Sequence, residues 1–171
     1  MSEQKVFVTV GTTSFDDLIS TILNPEVLEA LALRGYNYLS LQIGKSSLEP
    51  DCTSRCGINH IEYFHLSSSI ENYIQAADLV ISHAGAGSIL EALEAHKQLI
   101  VVTNQLLMDN HQLELARQLY EDKHLYYCTC DTLLNTIQTM ELNVLKPFIS
   151  DESKNIINYL DRIMGFNNFY I

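Results

Sequence analysis

The stretch Ser82-His83-Ala84-Gly85-Ala86-Gly87-Ser88 sets small residues and a histidine between an apolar run and a helical pattern. Small side chains there let a ligand approach the backbone, and a helix amino end offers unpaired N–H groups with partial positive charge. A diphosphate matches that chemistry, and His83 adds a hydrogen bond, or a charge if protonated. The structural alternative is a tight strand–helix turn capped by Ser88. A second turn, Val10-Gly11-Thr12-Thr13-Ser14, combines a glycine bend with hydroxyls at a helix start. It reads equally as an anion site or a helix cap. A third cluster lies between Asn104 and Gln112 and includes Gln105, Asp109, Asn110, His111 and Gln112. Amide and imidazole groups supply the mixed donors and acceptors that sugar hydroxyls need. Glu91 follows the glycine turn, where a carboxylate either accepts ribose hydroxyls or simply faces solvent.

Several other chemistries find no matching pattern. Leu90 stands where a dinucleotide fingerprint needs a third small residue, and no Gly-Lys-Ser/Thr follows as in a P-loop. Asp16-Asp17 is not Asp-x-Asp, so no carboxylate site for a divalent cation is suggested, and no metal or cofactor is expected. A Gly-x-Ser-x-Gly elbow is missing. Cys52, Cys56, His60 and His65 have spacings unlike the common zinc patterns.

These turns must be positioned by the elements between them. Apolar runs at Lys5–Val10, Tyr38–Ile43, Ile61–Phe64, Asp78–Ser82, Leu99–Val102 and Leu125–Cys128 predict strands. Helical patterns are expected over Asp16–Leu23, a helix begun at Asn24-Pro25 and closed by Gly35, Ser67–Ala77, Ser88–Ala95, Asp109–Tyr120, Thr132–Met140 and Ser153–Met164. Ser14 and Asp17 resemble a capping box for the first helix, and Cys128 and Cys130 should share one face of a strand. Residues 45–59 read as the least regular part. Strand and helix alternate, and several strands are apolar throughout. The expected fold is therefore α/β, a Rossmann-like, mostly parallel sheet with helices on both faces. Ligands in such folds sit beyond the carboxyl ends of the strands, where these turns fall.

The chain has 171 residues, enough for one domain with a tail, and is 47% hydrophobic and 18% charged. Its net charge of −11 argues against nucleic acid and against docking directly on an anionic membrane. Met1-Ser2-Glu3-Gln4-Lys5 leads straight into an apolar run too short for a signal peptide or a membrane span, so a cytosolic protein with reduced thiols is expected.

Four segments together resemble a known family: residues 8–18, 77–88, 110–116 and 127–130. The likeness is to the small cytosolic catalytic subunits of bipartite UDP-N-acetylglucosamine transferases, built on the glycosyltransferase family 28 C-terminal domain. Those enzymes add the second GlcNAc to the dolichol-diphosphate precursor of N-glycans. The resemblance implies the donor-binding lobe of a GT-B glycosyltransferase over residues 1–146 and a helical tail over 147–171. It implies that Gly11, Thr12 and Thr13 lie near the donor phosphate or the acceptor. His83, Gly85, Ala86, Gly87 and Ser88 would hold the diphosphate of UDP-GlcNAc, Glu91 the ribose, and His111 and Gln112 the GlcNAc hydroxyls. His65 would stand where the related lobe reads uracil through its backbone. No residue is singled out as the catalytic base. One lobe with no anchor is not expected to reach a lipid acceptor alone, and the resemblance implies that a separate membrane-anchored partner at the cytosolic face of the endoplasmic reticulum supplies the acceptor lobe. The helix Ser153–Met164 is expected either to help hold it or to pack on its own domain.

Overall fold

The structure is a computed structural model, which describes residues 2–104, 109–149 and 158. The strands are β1 (Lys5–Thr9), β2 (Tyr38–Gln42), β3 (His60–Phe64), β4 (Leu79–His83), β5 (Gln98–Thr103) and β6 (Tyr126–Thr129). The helices are α1 (Asp16–Ile22), α2 (Pro25–Leu33), α3 (Glu71–Ala76), α4 (Ala86–Glu94), α5 (Asn110–Glu121) and α6 (Cys130–Thr139). A short 3-10 turn covers Leu142–Val144. The predicted helix Ser153–Met164 lies outside the described residues, apart from Asn158.

All six strands are parallel, in the order β3-β2-β1-β4-β5-β6. Successive side chains point to opposite faces, so each strand feeds two cores. Val6, Val8, Leu39, Leu41, Leu79 and Ile81 pack with Leu18, Ile22, Leu28 and Leu133 beneath α1, α2 and α6. Phe7, Val80, Leu99 and Val101 pack with Ile74, Ile89, Leu93, Leu115 and Leu119 beneath α3, α4 and α5. Coverage on both faces explains why the strands read as apolar runs rather than alternating ones. Near the carboxyl ends the second face turns polar: Ser40 and Gln42, Thr9, Ser82 and Thr103 are all buried there.

Local chemistry moved several expected boundaries. Ser14 does not cap α1. Phe15 occupies that position without a side-chain cap bond, and its carbonyl accepts from Leu18 and Ile19. Asn24 caps α2 by accepting the Glu26 N–H at 3.0 Å, with Pro25 first in the helix. Ser67–Ser69 do not belong to α3. Ser67 Oγ donates to the Ser69 carbonyl at 2.7 Å, and Ser69 Oγ accepts the Glu71 N–H at 3.2 Å, so the serines form a local turn ahead of the helix. Cys130 opens α6 rather than extending β6, so it does not share a strand face with Cys128. All four cysteines are free thiols, and burial pushes the Cys128 thiol up to about 12. Phe148, at the start of the tail, is buried and meets His124 edge-on.

Candidate donor-binding cleft

The strand order reverses between β1 and β4. Chain leaving β1 runs outward to β2 and β3, while chain leaving β4 runs the other way, so their exit loops diverge and open a crevice. The turn predicted after β1 and the glycine turn predicted after β4 form its two lips.

The first lip is held rigidly. Gly11 adopts a left-handed φ of +65°, and its N–H donates to Thr9 Oγ1 at 3.0 Å. Thr13 spends its hydroxyl on the Val10 carbonyl at 2.9 Å, and its own carbonyl accepts the Lys45 N–H at 2.9 Å. Gly44, at φ +59°, lies directly against the Thr13 carbonyl. His65 Nδ1 lies 3.2 Å from the Gly44 carbonyl, so its ring supports this loop from behind.

The second lip is an open helix end. Gly85 occupies the cap position of α4 with extended backbone and has no side chain to fill it. Ser88 is third in the helix and does not cap it. The N–H groups of Ala86, Gly87 and Ser88 therefore have no partner among the described residues. A Cβ on Gly87 would meet nothing within 4 Å.

His83 joins the two lips. A Cβ on Gly11 would fall 2.8 Å from its Cε1, and one on Gly85 would run into the same Cε1 and Nε2 atoms. Both glycines thus make room for the imidazole, while the space beside Gly87 is open. His83 Nδ1 is buried without a hydrogen-bond partner. Burial pushes the His83 pKa below its ordinary value, with the Thr9 carbonyl pulling weakly the other way. The charged form considered from sequence is thus disfavoured in the free protein, and His83 offers a neutral imidazole at neutral pH.

That depression has a sign for stability. An unfolded histidine takes up a proton below about pH 6.5, before the buried one does. Its contribution is fully present above that pH and is lost as pH falls toward the folded value. Urea midpoints of the wild type should accordingly fall more steeply from pH 7.5 to pH 5 than those of His83→Gln. Parallel profiles would show that the ring is not titrating this way.

The cleft between the lips has a volume of about 390 Å³. Gly11, Thr12, His83, Gly85, Gly87, Ser88 and Glu91 line it, together with Gln42 and Ser67–Ile70. Seven of the residues expected from sequence are gathered there. Thr13, His65 and Ala86 are not among its lining residues: the first two brace the Gly44 loop, and the Ala86 side chain packs against the core. His111 and Gln112 stand on the first turn of α5, beyond β5, with the Gln112 N–H held by the Asp109 cap at 3.0 Å. Gln105 lies outside the described residues. Glu91 also borders a neighbouring groove with Glu71 and Glu94, whose acidity is unsuited to an anion. Gln42 and the serine turn were not anticipated. A lone glutamine ending an apolar strand was the available signal for the first.

No cysteine–histidine zinc set is assembled among the described residues. The sequence profile of the glycosyltransferase family 28 C-terminal domain matches residues 5–162. The chain belongs to this family. It is 53% identical over 128 residues to the human UDP-N-acetylglucosamine transferase subunit ALG13, covering 75% of this chain. It spans only 11% of the human relative and 11% of the mouse relative. The Saccharomyces cerevisiae protein of the same name is 32% identical over 181 residues, covering 86% of this chain and 90% of that protein. An NMR solution structure of ALG13 superposes with TM-score 0.72 at 27% identity, covering 95% of this chain and 98% of that one. Acinetobacter baumannii MurG shares the fold at TM-score 0.58 and 18% identity, over 92% of this chain but only 42% of MurG. The fold is thus that of a single Rossmann-like lobe of a GT-B glycosyltransferase.

Proposed function

We propose that this chain is the donor-binding catalytic subunit of a UDP-N-acetylglucosamine transferase that completes its active site with a separate membrane-anchored subunit. The observation that carries this reading is the uncapped amino end of α4 opening into a cleft at the switch point of a family 28 domain. A bound UDP-GlcNAc would set its diphosphate against the N–H groups of Ala86, Gly87 and Ser88, with Thr12 and His83 beside it and Glu91 toward the ribose. In this reading His111 and Gln112 approach the sugar from α5, and His65 contributes at the uracil end. The acceptor is GlcNAc-diphosphodolichol. Its 4-hydroxyl attacks the anomeric carbon with inversion, its proton passes to a base, and UDP departs. Charge growing on the leaving diphosphate is stabilised by the fixed N–H dipoles of α4 and by the neutral His83 ring. The acceptor-side lobe belongs to the partner, which would also hold the complex at the cytosolic face of the endoplasmic reticulum. None of the helices among the described residues is long and apolar enough to cross a membrane. Residues 1–146 form the nucleotide-sugar domain, and the tail over 147–171 supplies a partner contact.

The test is transfer of radiolabelled GlcNAc from UDP-GlcNAc to a GlcNAc-diphosphate-lipid, with this chain alone and with the membrane subunit added. Activity is expected only in the mixture. Full turnover by the chain alone would overturn the half-enzyme reading. No turnover by a folded, assembled complex would leave a non-catalytic, partner-binding subunit.

A further inference from the structure

We propose that the side-chain amide of Gln42 is a diphosphate-binding donor at the floor of this cleft, an inference that rests on the nucleotide-sugar reading above. Gln42 ends β2 on the polar side of the sheet and is only 3% exposed, yet it lines the cleft. Its oxygen is already committed: Thr9 Oγ1 donates to Gln42 Oε1 at 2.5 Å. That same hydroxyl accepts the Gly11 N–H, so a directed chain runs from Gly11 through Thr9 to Gln42. The Gln42 carbonyl also accepts the Val10 N–H at 3.2 Å. Backbone and side chain together lock the residue to the exit of β1. With Oε1 turned to Thr9, Nε2 turns the other way, and it donates to no protein atom among the described residues. Nε2 is not among the buried polar atoms that lack a partner, so its N–H groups open to the cleft, and an amide fixed in this way is poised for an acceptor that enters.

The character of the cleft indicates what that acceptor is. None of its described lining residues is Lys or Arg. A diphosphate bound here would be held by neutral donors: the N–H groups of α4, the hydroxyls of Thr12 and Ser88, and the Gln42 amide. Hydrogen bonds from neutral donors to a charged acceptor are stronger than neutral pairs. Gln42 is pinned to the Gly11 lip, so its donor is already in place when the ligand arrives and loses no rotamer freedom on binding.

Calorimetric titration of the full chain with UDP and with uridine tests this in the wild type, Gln42→Glu and Gln42→Leu. Gln42→Glu keeps an acceptor for Thr9, and so preserves the internal chain, while replacing the donor by a carboxylate. UDP affinity should fall about tenfold or more in both variants, and uridine affinity should change by less than about twofold. Thermal melts of the same samples report folding. Unchanged UDP affinity in folded Gln42→Glu would overturn the proposal, since an amide that merely holds solvent is dispensable. An equal loss for uridine would overturn it too, by placing the amide against the nucleoside. Wild-type protein that binds no UDP would instead bring down the nucleotide-sugar reading itself.

Discussion

Gly44→Ala is expected to destabilise the fold by about 2–4 kcal/mol, more than any other single methyl addition at these turns. Two costs coincide at this residue. Its φ of +59° disfavours any residue with a Cβ, and that Cβ would run into the carbonyl of Thr13 and approach the Gly11 carbonyl to 3.0 Å. Both obstacles are backbone, so no side chain can swing aside. Relief requires the loop carrying Gly11, Thr12 and Thr13 to move, which also opens the first lip of the cleft. Gly35→Ala is the control. Its φ of +95° carries the conformational cost, but nothing lies within 4 Å of the added carbon. It should lose only about 1 kcal/mol. Urea unfolding, extrapolated linearly, reports the difference. Equal losses at the two positions would show that the contact between loops is not what holds them.

Gly87→Val should leave the fold intact and weaken UDP binding by about tenfold to a hundredfold. Gly87 is exposed, second in α4, and its missing side chain would project into open space on the cleft wall. A valine there costs the helix little. It would instead stand between the ligand and the unpaired N–H groups of the helix end, each of which contributes about 1.5–3 kcal/mol to a charged acceptor. Gly87→Ala should produce a smaller loss of the same kind, together with a slight gain in thermal stability. Calorimetry with UDP beside a thermal melt separates binding from folding. A folded Gly87→Val protein with wild-type UDP affinity would remove this turn from the site.

The sheet was legible because its strands are covered on both sides, which makes Val6–Val8, Leu79–Ile81 and Leu99–Val102 continuous apolar runs. Strand ends were less legible where the terminal residue, first or last, is polar. His60, His83, Thr103 and Thr129 all pair in the sheet, although hydropathy places them in loops. Serine misled twice. Ser14 suggested a cap, but Phe15 holds that position and makes no side-chain cap bond, and Ser67–Ser69 suggested a helix start where their hydroxyls build a turn. The second failure follows from the ease with which a serine hydroxyl bonds to nearby backbone, in helical and non-helical settings alike. The glycine turn after β4 was visible as a pattern, but the division of labour within it was not. Gly85 leaves space for His83 while Gly87 faces open space, and the ring is also approached by Gly11, a residue distant in sequence and adjacent only once β1 and β4 pair.

The imidazole of His83 lies against two bare α-carbons, Gly11 after β1 and Gly85 after β4. Positions 11, 83 and 85 therefore share one volume and cannot drift independently. A lineage that enlarged either glycine would first have to shrink the residue at 83. In the opposite order, a smaller residue at 83 would leave a gap that frees both loops to shift. Substitutions at these three sites are bound to one another's history, and the order in which they occur decides which intermediates keep a working cleft.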